Sequence, residues 1–148
     1  MSWLRRLLGI APPTPPLALP GLWQETTIIP GEHACWPGTE SPEEPIMFTG
    51  RLVSATRKKW AGFSEFEIWE TEAHQFVAVN NGPHCGEFGC YGVTTRVGIF
   101  KGLDCIPLDD SGGLVSYKFR GDYRVHLPEY VILEAKRNLG LPVGKRVE

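Results

Sequence analysis

No apolar run in this chain reaches about 18 residues, so no transmembrane helix is expected. A secretory signal is not expected either. Leu7, Leu8 and Ile10 follow Arg5 and Arg6, but the run stops at Pro12-Pro13, short of a signal peptide's apolar core. The expected compartment is therefore the cytoplasm, where thiols stay reduced. Positive charge is not in excess. With 15 Lys and Arg against 17 Asp and Glu, the net charge is −2, and no nucleic-acid signature appears. Lys and Arg are missing altogether from Gln24 to Gly50, which carries Glu25, Glu32, Glu40, Glu43 and Glu44. Arg57, Lys58 and Lys59 then form a short basic run, the pattern of a solvated turn or strand end. No G-x-G-x-x-G or P-loop pattern occurs, which removes the usual phosphate cradles. There is no internal repeat.

What the chain does have is aromatic surface. Five tryptophans in 148 residues require large apolar faces that are buried or bound. The length fits one domain with appendages. Residues 1–10 place Trp3, Leu4, Leu7 and Leu8 at helical spacing, with Arg5 and Arg6 opposite. A helix this short needs a surface to form on: its own domain, a partner groove or a bilayer interface. Residues 11–21 carry prolines at 12, 13, 15, 16 and 20 and read as an extended linker. Residues 22–45 read as an irregular acidic segment, with one short strand from Gln24 to Ile29.

Residues 46–148 are expected to form a single α+β domain. Ile46–Thr56, Phe63–Glu70, Gln75–Asn80, Val93–Phe100 and Leu114–Arg120 read as strands, with a further short one over Tyr123–Leu127. Phe66 and Ile68 face one way, Glu65 and Glu67 the other, and Thr71–His74 is the turn that follows. Asp109–Gly113 is a second strong turn. After Pro128 the period changes. Val131, Ile132, Ala135 and Leu139 form one stripe, Glu129 and Lys136-Arg137 complement the helix dipole, and Gly140 and Pro142 end the helix. The pattern predicts an antiparallel meander of five to six strands with one C-terminal helix packed on it.

Asn80 to Gly92, NNGPHCGEFGCYG, reads as a long loop between two strands, and long loops are usually functional. Cys85-x4-Cys90 with His84 adjacent could hold zinc, with Cys35 as a further ligand and Cys105, His33, His74 and His126 as reserves. A second closely spaced cysteine pair, which would specify such a site, is absent. Cys105 in its apolar run reads instead as a small core residue. A thiolate–imidazolium pair would make Cys85 or Cys90 a nucleophile, with His74 or His126 as base. Glu65 and Glu67 share a strand face, the pattern of a solvated surface. Aromatics on loops over a rigid sheet build binding surfaces, which singles out His84, Glu87, Phe88, Tyr91, Trp36 and Trp60. The sequence therefore points to a small binding or regulatory protein, adaptor or inhibitor in type, that meets a protein partner through the 80–92 loop. A zinc-stabilised domain of similar role and a small thiol-dependent enzyme are the alternatives.

Overall fold

Alternation sets the centre of the sheet. In Glu65–Thr71 (β5), Phe66 and Ile68 are fully buried while Glu65 and Glu67 are half-buried on the other face. The computed structural model describes residues 18–33, 40–57, 65–86, 89–109 and 125–144, and for residues 57, 83–86 and 89–91 the backbone. On one side β5 pairs with Ile46–Arg57 (β4), and on the other with Phe76–Gly86 (β6). β6 pairs in turn with Gly89–Phe100 (β7), so β4 to β7 form the expected antiparallel meander. The turn after β5 closes through the Thr71 N–H, which donates to the Gln75 carbonyl at 2.8 Å.

The sheet is larger than the sequence predicts. Residues 22–45 supply the short strand expected there, Gln24–Ile28 (β1) beside β4, and two that were not expected, Gly31–His33 (β2) beside β7 and Ser41–Pro42 (β3) beside β2. The order is β1-β4-β5-β6-β7-β2-β3, seven strands in all among the described residues. β2 and β3 escape periodicity because they are too short to show an alternation. The segments read as the 1–10 helix, most of the proline linker and the Leu114–Arg120 strand lie outside the described residues.

One connection dictates the shape of this sheet. β1 and β2 are five strand spacings apart in the order, about 24 Å if the sheet were flat. Yet only Ile29 and Pro30 separate them, a reach of about 11 Å from Ile28 to Gly31. The sheet must therefore curl until its two flanks approach. The corner is fixed by the Glu43 N–H, which donates to the Pro30 carbonyl at 2.8 Å, and by a 2.7 Å contact of His33 Nε2 with the Ile29 carbonyl. Gly31 has φ +106°, and a Cβ there would meet the Ser41 carbonyl oxygen and, at 2.9 Å, the Glu43 nitrogen. Only glycine fits both the angle and the space.

The helix Glu129–Asn138 (α1) covers one sheet face as its stripe predicts. Val131, Ile132 and Ala135 join Val53, Phe66, Ile68, Phe76, Ala78, Leu103, Ile106, Val125 and Leu127 in the main core, with Leu139 packed against it. Its end is a Schellman cap: Gly140 sits at φ +69°, its N–H donates to Arg137 and that of Leu141 to Lys136. Leu103–Cys105 forms a 3-10 turn that buries Leu103 and exposes Cys105, so Cys105 is not the core residue its apolar neighbours suggest. Side chains three apart lie together on such a turn, which sends Leu103 and Ile106 inward and Cys105 out.

A bulge in β4 joins helix to sheet. The register slips between Leu52 and Ser54, which leaves Val53 as the extra residue. Groups around the slip find partners outside the ladder. The Leu52 carbonyl accepts from the Gly21 N–H at 2.8 Å, and the Val53 carbonyl from Asn138 Nδ2 at 2.9 Å. The buried Ser54 hydroxyl donates to the Val131 carbonyl at 3.0 Å.

The opposite face carries a second cluster of Trp69, Val77 and Val79, flanked by Ile28, Phe48, Leu52 and Val97. Phe48 meets Trp69 edge-on with centroids 6.0 Å apart, and the Trp69 indole N–H donates to Glu67 at 2.9 Å. Among the described residues no helix lies over this face.

Asn138→Ala is expected to cost about 1–3 kcal/mol, because the Val53 carbonyl loses its donor at a site water reaches poorly. Urea unfolding measures this, and a wild-type midpoint would show the contact is dispensable. Gly31→Ala is expected to cost about 1–3 kcal/mol through backbone strain and the clash at the corner. The same titration reads it, with a wild-type value showing that the corner can open without loss.

Candidate functional site

The 80–92 segment is not a loop. Residues 80–86 complete β6 and residues 89–92 begin β7, leaving only 87 and 88 between the strands. The composition misleads for a physical reason. Alternation shows in a strand's sequence only where one face is apolar, and a short paired stretch rich in glycine, proline and polar residues shows no such period. β5 pairs with β6 no further than Asn81, and β2 with β7 no further than Val93. Beyond those points, among the described residues, the two strands pair only with each other. Among the described residues they form an arm that extends past the rest of the sheet.

The base of the arm is built on described side chains, and its two faces differ. Cross-strand partners share a face and successive residues alternate. On the helix-side face lie Asn80 beside Arg96, then Gly82 beside Thr94 and Glu32, then His84 beside Gly92. On the other face lie Asn81 beside Thr95, then Pro83 beside Val93 and His33, then Cys85 beside Cys90. The Thr95 hydroxyl donates to Asn81 Oδ1 at 2.7 Å, which holds the two strands together at the root.

Asn80 stands out in this arrangement. It is 5 % exposed, and its Oδ1 has no hydrogen-bond partner among the described residues. A buried carbonyl oxygen without a donor costs stability, and such groups are tolerated where something other than stability keeps them. The sequence gives no signal for this residue beyond its position at the end of an apolar strand.

The residues singled out from sequence separate. His84 lies on β6 and Tyr91 on β7 within the arm, whereas Glu87, Phe88, Trp36 and Trp60 lie outside the described residues. Cys85 and Cys90 come opposite one another, but His84 is placed on the other face, and Cys35 lies outside the described residues. Among the described residues no group of three or more His, Cys, Asp or Glu gathers to hold a metal ion. His74 sits in the turn after β5, at the opposite end of the sheet from the arm, with φ 59°. It is therefore remote from Cys85 and Cys90 as a base. Glu65 and Glu67 share the face opposite the main core, and Glu67 is held by Trp69, which the sequence pattern did not connect to it. Glu70 is on the helix side instead, bound by Arg51 at 3.1 Å, while the Arg51 guanidinium lies 5.1 Å from the Trp23 ring centroid. Burial raises the Tyr130 phenol, moving it further from acid–base work near neutrality.

Asn80→Leu is expected to hold stability within about 1 kcal/mol of wild type, since its Oδ1 accepts no bond that would be lost. Urea unfolding decides this, and a loss beyond about 3 kcal/mol would place the amide in the structural network. With this geometry in view, the chain matches no protein-family model, no curated protein and no solved structure.

Proposed function

We propose that this chain is a small binding protein, adaptor or inhibitor in type, whose β6–β7 arm engages a protein partner. The observation that carries the reading is the mismatch in strand length. β6 and β7 run 11 and 12 residues while β5 runs 7, so the ribbon continues beyond its described neighbours. Among the described residues nothing pairs with the ribbon's outer edges, and such edges offer backbone N–H and C=O groups for strand addition by a partner. At its root the arm adds Arg96, Thr94, Glu32 and the buried Asn80 amide, a polar set suited to fixing register. Phe88 and Tyr91, which the sequence sets between Gly86 and Gly92, are the kind of side chain that dominates interface energy. Residues 1–10 would supply a second contact through their Trp3–Leu8 stripe. No helix among the described residues is long and apolar enough to cross a membrane.

Replacing residues 85–91 by Asn-Gly shortens the arm to a tight hairpin between His84 and Gly92. The sheet is expected to keep its thermal midpoint, since the ladders of β5 and β2 end before the excision. In native lysate, the wild-type chain is expected to elute from size exclusion as a complex and the shortened chain as free protein. Identical elution of the two would remove the arm from recognition. A fall in the thermal midpoint would make the arm a structural element.

A further inference from the structure

We propose that Cys85 and Cys90 form a reversible disulfide across the arm. The two residues are direct cross-strand partners. Opposed residues in an antiparallel ladder have Cα atoms about 4.5 or 5.5 Å apart, according to the pair type. Both values fall within the about 4.4–6.8 Å that a disulfide spans. Cross-strand partners also share a face, as the bond requires.

The register itself is the stronger argument. From Phe76↔Phe100 to His84↔Gly92 the ladder is regular, and it then slips by one residue between His84 and Cys85. Continued without the slip, the ladder would set Cys85 against Tyr91 and Gly86 against Cys90. The bulge makes Tyr91 the extra residue and brings the two cysteines into line. Zinc is served less well by this placement. Tetrahedral zinc takes four donors, the register supplies two, and His84 belongs to the other face. A sulfur–sulfur bond needs nothing further from the protein.

The chemistry is thiol–disulfide exchange with a small-molecule disulfide such as oxidised glutathione. One cysteine thiolate attacks it, forming a mixed disulfide and releasing one glutathione thiolate. The second cysteine thiolate attacks the protein sulfur of that bond, forming Cys85–Cys90 and releasing the other. The protein gives up two electrons and two protons, and the glutathione disulfide becomes two thiols. The bond closes a short ring at the tip and locks the arm's pairing.

The test uses the full chain with Cys35→Ser and Cys105→Ser, equilibrated in glutathione mixtures, acid-quenched and read by intact mass. The expected product is lighter than the reduced chain by two hydrogens. No Lys or Arg lies between Trp60 and Thr95, so trypsin leaves both cysteines in one peptide ending at Arg96. Cleavage after Glu87 should then yield two fragments that part only on reduction. The equilibrium constant for forming the bond is expected to fall about tenfold in urea, because the folded ladder holds the thiols together. The wild-type chain, mapped in the same way, guards against a folding defect in the variant. Glutathione adducts on separate cysteines, no dependence on folding, or stoichiometric zinc that protects both thiols would each overturn the proposal. None of these readings involves a partner, so the outcome is separate from the arm's role in recognition.

Discussion

The extra residue at Val53 is the constraint on which the rest of the architecture rests. A bulge bends its strand and adds twist, and it turns backbone groups out of the ladder. The groups at the slip are taken up by Gly21, Asn138 and the Val131 carbonyl, which ties the entering chain and the C-terminal helix to one point of β4. Helix and sheet are thus joined by directional bonds as well as by apolar contact. The apolar core fills the space between them, but hydrophobic burial alone is non-directional and would not fix where along β4 the helix lies. The curl forced by the Ile29-Pro30 corner works in the same sense, because a twisted, bent β4 feeds a sheet whose flanks can meet.

Elements with a buried face were legible in the sequence, and elements without one were not. The α1 stripe, its charged ends and the Gly140 stop all appear in the structure, since each is a local response to a helix packed on one side. Phe66 and Ile68 were legible for the same reason. β2 and β3 were missed because two or three residues cannot show a period, and they are held by the corner at Gly31 rather than by burial. Trp69 was missed for a different reason. The simple two-layer picture leaves the second sheet face to solvent, whereas this face has an apolar cluster of its own.

The 80–92 segment was legible as a distinctive stretch but not as a shape. Glycine, proline and polar residues over 80–92 are the composition of a loop and also of a ribbon without apolar alternation, and only pairing distinguishes them. Asn80 could not be picked out, because an amide at the end of an apolar strand looks the same whether its oxygen is bonded or orphaned. The cysteine spacing was visible, but its meaning depends on a one-residue slip that no spacing rule reports.

The two bulges sit in different surroundings. The slip in β4 turns groups toward α1, where each finds a partner within the fold. The slip in the arm lies beyond the described ladders of β5 and β2, and what it realigns is the pairing of β6 with β7. Asn80 marks the boundary between the two regimes. It is buried with the sheet like its neighbour Ala78, yet its carbonyl oxygen finds no donor there, so the strand carries a polar demand outward from the core to the root of the arm.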